Sequence, residues 1–302
     1  MKKIGNLIYI IGPTAVGKTA TAIKLAQDLN AEIISADSRQ FFKEISIGTA
    51  KPTAEEQAAV KHHFINNRSI TEDYNASDFE KEVIPFLENY FKERQNAVLC
   101  GGSGMYIDAI SKGFDEGVPT ADEKIRKKLN SDLENQGIES LQEQLKSLDP
   151  EFYKEVDLNN SKRLMRAIEV CLISGKKYSE IRKGKKVERF FKEIKIGLSM
   201  DREVLYERIN KRVDLMMNDG LLEEVKSVHQ YKNKNALKTV GYRELFNFLE
   251  GNTSLDEAVE KIKVNSRRYA KRQLTWFKKD QSIKWFEPSQ YEEILQYIRN
   301  NL

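Results

Sequence analysis

An eight-residue segment near the N-terminus constrains the fold more than any other part of this chain. It reads GPTAVGKT and satisfies every fixed position of the pattern G-x-x-x-x-G-K-[S/T]. An apolar, β-branched run at 6–11 precedes it, and a helical pattern with apolar residues on one face follows it at 18–29. Because a phosphate-binding loop needs this order of strand, loop and helix, the segment predicts a P-loop.

Each fixed position of the loop supplies a group that a bound diphosphate or triphosphate requires. The glycines let backbone N–H groups turn toward phosphate oxygens, and the lysine places a positive charge on the terminal phosphate. The threonine hydroxyl can ligate Mg²⁺, so we predict Mg²⁺ as the metal and Thr19 as its protein ligand. The predicted phosphate-binding residues are Gly12, Pro13, Thr14, Ala15, Val16, Gly17, Lys18 and Thr19.

Strand and helix patterns alternate over the first hundred residues. Short apolar runs at 32–35 and 97–100 predict two more strands, and an amphipathic pattern at 77–94 predicts a helix between them. Such alternation is typical of a parallel, doubly wound sheet. The sequence therefore predicts an α/β fold whose core is a P-loop NTPase-like parallel sheet.

Strand patterns stop after residue 113 and return at 193–200. The intervening helical patterns lie at 122–135, 138–147 and 161–174. Further helical patterns follow the returning strand, at 203–218, 221–231, 242–250 and 255–279. We predict a catalytic core formed by 1–112 and 196–302, interrupted by a helical insertion at 113–195.

The third predicted strand does not end in an acidic residue. A P-loop hydrolase usually places an aspartate there to hold Mg²⁺, whereas this strand is followed by glycines after Cys100. The missing acid disfavours a motor or switch ATPase. It favours a kinase or a transferase, in which a second substrate faces the phosphates.

Asp37 directly follows the second predicted strand. Ligands of an open parallel sheet bind at the carboxyl ends of its strands, so Asp37 should border the same crevice as the P-loop. We interpret it as a general base, or as an acceptor for an N–H or O–H of the second substrate. A helix-capping or turn aspartate is the alternative that the residues alone leave open.

Basic residues are unevenly distributed in a nearly neutral chain. There are 50 Lys and Arg against 46 Asp and Glu, which gives a net charge of +4. The segments 176–195 and 261–284 each hold nine basic residues, with three acidic residues in the first and one in the second. They indicate a phosphate-rich partner, with solvated helix faces as the alternative.

The remaining composition indicates a reducing compartment. The two cysteines, Cys100 and Cys171, lack the spacing of a metal or redox motif, which is typical of a cytoplasmic protein. No stretch approaches the ~20 apolar residues of a membrane span, so we expect no membrane association. We also expect the chain to act as a monomer.

Eight sequence blocks, taken in order, resemble one enzyme family. The blocks are GPTAVGKT, ISADSRQ, IGTAKP, CGGSGMYI, SKRLMRAIEV, LYERINKRVDLMMNDGLLEEV, KTVGYREL and RRYAKRQLTWF. Together they resemble the bacterial tRNA dimethylallyltransferases, also called isopentenyl-tRNA transferases. The resemblance covers nearly the whole chain and is far more specific than the P-loop alone.

The resemblance implies a reaction and its partners. The family transfers the dimethylallyl group of dimethylallyl diphosphate to N6 of the adenosine 3′-adjacent to the anticodon in tRNA, and releases diphosphate. The target base is expected to leave its stack and enter a channel between the core and the insertion. Because no nucleotide need be hydrolysed, this reaction would explain the missing acid; ATP binding by the loop stays open.

Three other functions remain as alternatives. The first is an adenylate isopentenyltransferase, which acts on free nucleotides, and the second is a P-loop small-molecule kinase with a helical lid. The third is an RNA-binding module that uses the P-loop as a structural anion site. The basic segments and the long insertion favour a polymeric acceptor.

The resemblance also implies roles for individual residues. Asp37 matches the general base, Thr19 and Arg212 complete the catalytic set, and Arg208 joins the P-loop in binding diphosphate. The implied tRNA contacts are Asp37, Ser38, Arg39, Gln40, Ser103, Arg126, Lys162, Arg163, Leu164, Met165 and Arg166. Ser103 stands where the family usually has Thr, and Phe42 stands where Tyr is common.

Several of these residues also have ordinary structural explanations. Arg163 and Arg166 share a helix face and could form surface ion pairs, as could Arg208 and Arg212. The aromatic pair at 276–277 is more typical of core anchors than of base-stacking residues.

Overall fold

The computed structural model describes residues 3–113, 118–119, 121–182 and 187–302. The chain divides into two compact units, the first formed by Met1–Ser111 with Glu188–Leu302 and the second by Lys112–Val187. The second unit is helical and ends at Val187, whereas the sequence analysis extended the insertion to residue 195. That limit falls inside a strand of the first unit. Residues 183–186 of the first basic segment lie outside the described residues.

Six parallel strands form one sheet among the described residues. In chain order they are β1 (Asn6–Ile11), β2 (Ile33–Ser35), β3 (His62–His63), β4 (Asn96–Gly101), β5 (Lys192–Leu198) and β6 (Lys284–Phe286). Their spatial order is β3-β2-β4-β1-β5-β6, with every pairing parallel. The predicted α/β class with a parallel P-loop-type sheet is confirmed.

Helices cover the sheet and make up the second unit. The α-helices of the described residues are α1 (Lys18–Asp28), α2 (Ala54–Ala59), α3 (Ala76–Tyr90), α4 (Gly104–Lys112), α5 (Glu123–Gln136), α6 (Ile138–Leu148), α7 (Pro150–Glu155), α8 (Ser161–Ser174), α9 (Tyr178–Arg182), α10 (Arg202–Asn218), α11 (Leu221–Ser227), α12 (Tyr242–Leu249), α13 (Leu255–Phe277) and α14 (Tyr291–Arg299). Helices α5 to α9 belong to the second unit. None of the described helices is long and apolar enough to cross a membrane.

Strand β1 lies at the centre of the sheet, and all six of its residues are buried. Leu7, Tyr9 and Ile11 pack into one hydrophobic cluster of the first unit, while Ile8 and Ile10 pack into another. This alternation is expected of a strand with helices on both faces, where the side chains on both faces are buried. The P-loop therefore starts from a buried strand at the centre of the sheet.

The second unit has its own core. Its buried residues are Leu129, Leu141, Leu145, Phe152, Leu164, Ala167 and Ile168. Buried Asp149 links two of its short helices, because its carboxylate accepts from the Phe152 N–H of α7 and from the Ser179 N–H of α9 (3.0 and 2.6 Å). These contacts support a compact helical unit.

The chain leaves and re-enters the first unit at one place. Arg189, which is buried, donates from Nε to the carbonyl of Ile110 (2.8 Å) and from Nη2 to the carbonyl of Ala109 (2.7 Å). Its guanidinium also pairs with Glu80. Because α4 is the last element before the exit and Arg189 follows the return, these bonds fasten the two crossing points to each other.

Candidate active site

The P-loop follows the carboxyl end of β1 and leads into α1. Gly12 and Gly17 have φ angles of 151° and 111°, which side chains rarely tolerate. A Cβ on Gly12 would also lie 2.5 Å from the Leu198 carbonyl oxygen of β5. Lys18 Nζ donates to the Pro13 carbonyl (2.7 Å), so the lysine folds back over its own loop. Helix α1 has no acid in its first turn, which keeps its N-terminus suited to an anion.

Two arginines of α10 lie against the P-loop. Arg208 Nε donates to the Ala15 carbonyl (2.9 Å), and Arg212 Nη1 donates to the Thr14 hydroxyl (3.3 Å). The two arginines are four residues apart and so share one helix face. The structure therefore brings together the residues that the sequence analysis assigned to diphosphate binding, rather than leaving the arginines as surface ion pairs.

Burial lowers the pKa of Lys18 to about 8, with smaller effects from Cys100, Arg212 and Asp37. Burial also lowers the pKa of Arg212, which Asp37 partly opposes. Gathering poorly solvated cations with so little opposite charge is unfavourable in the protein alone. A ligand with several negative charges would relieve that cost, which identifies this end of the site as an anion subsite.

Asp37 and its neighbours form the opposite side of the site. Asp37 Oδ1 accepts from the Arg39 N–H (2.9 Å), and the described residues place no donor on Oδ2. The buried Ser103 hydroxyl accepts from the Ser38 N–H (2.9 Å). Gln40 Nε2 donates to the carbonyls of the 49–50 pair at 3.3 and 3.1 Å. The turn expected as an alternative for Asp37 is present, and it leaves one carboxylate oxygen for a ligand.

A cavity of about 780 Å³ joins these groups, and the described residues that line it all belong to the first unit. Its basic lining residues are Lys18, Arg39, Arg208, Lys211, Arg212, Lys238, Arg243 and Arg272; its acidic ones are Asp37 and Glu56. An apolar part is formed by Ile209, Val213, Leu215, Met216, Leu221, Val240 and Ile262. A cavity of this composition suits a polyanionic ligand that also carries an apolar group.

Helix α13 supplies two site residues to which the sequence analysis gave no role. Buried Gln273 accepts from the Thr14 N–H through Oε1 (2.8 Å) and donates from Nε2 to the Gly102 carbonyl (2.8 Å). It thus joins the P-loop to the turn after β4. Tyr269, one turn away, also lines the cavity, and burial raises its pKa to about 12, so it stays neutral. The only sequence signal for them was the block RRYAKRQLTWF.

Comparison with known proteins identifies the family. The model of the IPP transferase family matches residues 40–280. This chain belongs to that family. A tRNA dimethylallyltransferase of Flavobacterium johnsoniae is 52% identical over 303 residues, and one of Christiangramia forsetii is 53% identical over 297 residues. Each alignment covers 98% of both chains. The resemblance inferred from the sequence blocks is confirmed.

Solved structures agree with this placement. The full-length tRNA isopentenylpyrophosphate transferase of Bacillus halodurans is 37% identical with a TM-score of 0.72, covering 98% of this chain and 96% of that one. A eukaryotic dimethylallyltransferase captured acting on tRNA is 28% identical with a TM-score of 0.78. That alignment covers 90% of this chain and 70% of the eukaryotic one.

The P-loop pattern predicts Mg²⁺, and the residues of this chain fit the ion only with help from a substrate. Thr19 lines the cavity in the first turn of α1. No cluster of three or more His, Cys, Asp or Glu side chains suited to a metal occurs among the described residues. Burial raises the pKa of Cys100 to about 11, so this thiol stays neutral. A Mg²⁺ ion here would be held by the Thr19 hydroxyl, phosphate oxygens and water, which is a common arrangement for this ion.

Two of the implied tRNA contacts in the second unit form an ion-pair cluster. Arg126 Nε and Arg166 Nη1 bind the two oxygens of Glu169 at 2.9 and 2.7 Å, and the Glu169 side chain is 1% exposed. Arg166 Nη2 also donates to the Pro119 carbonyl (2.8 Å). The ion-pair alternative is thus present for Arg166. Both arginines keep part of their surface exposed, so their contact with tRNA stays a prediction.

The first turn of α8 divides into exposed and buried positions. Lys162 and Arg163 are exposed, and no acid accompanies them in a turn whose dipole already favours anions. Met165 is partly buried. Leu164 is fully buried in the core of the unit, so a contact with tRNA at this position would have to come from its backbone.

The aromatic pair at the end of α13 is split. Phe277 is 2% exposed and packs in the core, as the sequence suggested. Trp276 is 36% exposed and donates from Nε1 to Asp108 (3.0 Å), so the expectation of a core anchor is wrong for this residue. Phe42 is buried as a plain core residue.

Proposed function

We propose that this chain transfers the dimethylallyl group of dimethylallyl diphosphate to N6 of the adenosine 3′-adjacent to the anticodon in tRNA, releasing diphosphate. The observation that carries the proposal is a single cavity with a cationic P-loop at one strand end and the carboxylate of Asp37 at another. The names of the relatives, and the solved neighbour that acts on tRNA, support the same acceptor.

The diphosphate of the donor binds the P-loop amides, Lys18, Arg208 and Arg212. The bond between the allylic carbon and the diphosphate oxygen breaks as the adenine nitrogen attacks, and its electron pair goes to that oxygen. Cations fixed before the reaction stabilise this developing charge without reorganising. Mg²⁺, held by Thr19, would neutralise further phosphate charge. The dimethylallyl group lies against the apolar part of the cavity.

The acceptor amine meets Asp37. An adenine amino group is a weak nucleophile because its lone pair is delocalised into the ring, so it needs a base in the transition state. Asp37 takes the N6 proton as the new carbon–nitrogen bond forms. Its Oδ1 is held by the Arg39 N–H, which leaves Oδ2 for this step. The target base leaves its stack to reach the cavity, as substrates of base-modifying enzymes generally do.

The working unit that we propose is a monomer in the cytoplasm. Asp37, Ser38, Arg39, Gln40 and Ser103 contact the target nucleotide and its neighbours. The exposed cations of the second unit, together with Met165, contact the flanking RNA. Each of these assignments extends what the family membership supports.

A label-transfer assay tests the proposal. The protein is mixed with Mg²⁺, labelled dimethylallyl diphosphate and two acceptors, AMP and unmodified tRNA with an adenosine-rich anticodon loop. We expect labelled tRNA, and a rate at least ~100-fold lower for Asp37→Ala, because the weak nucleophile loses its base. Asp73→Ala, which changes an exposed aspartate elsewhere in the first unit, serves as the matched control.

Each other outcome has a definite meaning. Equal rates for Asp37→Ala and the wild type would keep the activity but remove Asp37 as the base. Label in free AMP and none in tRNA would reassign the chain to adenylate isopentenyltransferases. Transfer to neither acceptor would refute the proposed function.

A further inference from the structure

A short loop at 46–50 forms part of the cavity wall. Gly48, Thr49 and Ala50 all line the cavity. The Thr49 hydroxyl donates to the carbonyl of Ile45, just before the loop (2.9 Å), and Ala50 has a positive φ of 45°. Such a loop needs anchoring from outside to keep one conformation.

Glu224 of α11 supplies that anchor. Its Oε2 accepts from the N–H groups of Ser46 (2.6 Å) and Ile47 (2.8 Å), and its Oε1 accepts from the Gly48 N–H (2.9 Å). Three successive amides turned toward one carboxylate form an anion-binding nest. Hydrogen bonds to an ionised acceptor are about twice as strong as neutral ones, so this is a firm attachment.

A buried tyrosine completes the anchor. Tyr242 of α12 is fully buried and donates from its hydroxyl to Glu224 Oε1 (2.6 Å). A Cβ on Gly48 would lie 2.6 Å from Tyr242 Cε2, so only glycine lets the loop approach this ring. The four hydrogen bonds found for the Glu224 carboxylate are all accepted, three from backbone N–H groups and one from a tyrosine hydroxyl.

The loop is bonded in turn to the segment that carries Asp37. Gln40 Nε2 donates to the carbonyls of Thr49 and Ala50, and Gln40 Oε1 accepts from the Ser35 hydroxyl at the end of β2 (3.0 Å). A displacement of the loop would therefore be passed to Gln40. Asp37 lies three residues away in the same short segment.

Glu224 is also close in the chain to the diphosphate side of the cavity. Helix α11 follows α10 after a two-residue turn, and α10 carries Arg208 and Arg212. Leu221, at the start of α11, is buried and lines the same cavity. The helix that carries the two arginines is therefore connected by a short turn to the helix that carries Glu224, which anchors the 46–50 loop.

We propose that Glu224 is a positioning residue for the transfer reaction. Its carboxylate fixes the 46–50 loop and, through Gln40, sets the place of Asp37 relative to the arginines of α10. The inference rests on the proposed function, because it concerns the distance between the base and the leaving group. Misplacement of reacting groups by about 1 Å can lower a rate on the order of 100-fold.

Glu224→Gln tests the inference. A glutamine amide nitrogen cannot accept, so two of the four donors lose their partner while the size of the side chain is kept. We expect kcat for tRNA to fall about 10- to 100-fold, whereas the Kd for inorganic diphosphate, measured by calorimetry, stays unchanged. Glu223→Gln is the matched control, since this neighbouring glutamate is exposed and pairs only with Lys226 among the described residues.

Three results would overturn it. The first is an unchanged kcat for Glu224→Gln. The second is a parallel loss of diphosphate affinity and kcat, which would indicate general damage to the fold. The third is an equal loss in the Glu223→Gln control. A wild-type protein without transfer activity would instead refute the proposed function, and hydrogen exchange at the amides of 46–48 would then test the anchor by itself.

Hydrogen exchange on the wild-type protein tests the anchor without any variant. We expect the amides of Ser46, Ile47 and Gly48 to exchange far more slowly than those of an unanchored surface loop. Fast exchange at these three amides would overturn the inference even if Glu224→Gln failed to fold.

Discussion

At the level of single residues, Lys18 shows how burial prepares this site for an anionic ligand. The lysine is partly buried near Arg212, and its ammonium group bonds only to the Pro13 carbonyl among the described residues. Burial lowers its pKa to about 8 from 10.5. The unfolded chain therefore binds more protons than the folded one between these two pH values, and the contribution of Lys18 to stability rises with pH across that window.

Diphosphate binding should take up a proton above pH 8. A bound diphosphate favours the charged lysine, so its affinity should fall as the pH rises through 8 and binding should become coupled to protonation. Calorimetry at pH 8.5 in two buffers of different ionisation heat measures that uptake. Lys18→Arg is the control, because an arginine keeps its charge at this pH. A wild-type protein that takes up no proton would contradict the expected pKa.

The residues that the sequence revealed are those whose chemistry is local. The glycines, the lysine and the threonine of the P-loop could be assigned because one segment contains the whole motif. Gln273 and Glu224 could not, because their partners lie far away in the chain: Gln273 bonds residues separated from it by 259 and 171 positions. The position of Asp37 could be predicted because it follows a strand end. That its Oδ2 accepts no hydrogen bond from the described residues could be seen only in the folded structure.

At the level of elements, α13 fixes the positions of two active-site turns relative to each other. Its Gln273 bonds the P-loop after β1 and the glycine turn after β4. A Cβ on Gly102 would lie 2.3 Å from Gln273 Nε2, so the turn is shaped to receive this side chain. The helix therefore sets the distance between the anion subsite and the turn that carries Ser103.

Gln273→Leu should remove both hydrogen bonds that connect the two turns. We expect a loss of about 1–3 kcal/mol in the free energy of unfolding for each buried backbone group left without a partner. Weaker diphosphate binding should accompany it, because Thr14 belongs to the P-loop. Denaturant unfolding and calorimetry measure the two effects. Gln281→Leu, at an exposed position, is the control, and equal stability of the two variants would contradict the bridging role.

The elements themselves were only partly predictable. The four strands with clear apolar runs were found, including the one that returns after the insertion. Strands β3 and β6 were missed, since they have two and three residues and are defined by their neighbours in the sheet rather than by a pattern. The end of the insertion was placed at residue 195, inside the returning strand predicted at 193–200, whereas the second unit ends at Val187 and β5 begins at Lys192.

At the scale of the whole molecule, the net positive charge is small but basic residues are concentrated around the cavity. The net charge is only +4, yet eight of the ten charged residues that line the cavity are basic. Such a local field attracts and orients a polyanion without making the entire surface cationic. Attraction to tRNA should therefore come from this region and from the exposed cations of the second unit, each acting on phosphates.

Binding of tRNA should weaken steeply with salt. Six to ten phosphate contacts would lower the affinity on the order of 10³-fold or more between 50 and 200 mM salt, because counterions are released on binding. Filter binding across this range measures the slope, with unchanged thermal unfolding at both salts as the control. An affinity that hardly changes would contradict electrostatic recognition of the RNA backbone.

The hydrogen bonds from Arg189 to the carbonyls of Ala109 and Ile110 affect how the insertion can vary in length and sequence. The two ends of the insertion are hydrogen-bonded to each other in the first unit. The segment between them, here called the cassette, therefore starts and ends at the same place. Closing a longer or shorter cassette changes the chain entropy only slowly with its length. The cassette can therefore be extended, trimmed or exchanged while the sheet, its loops and their chemistry stay as they are.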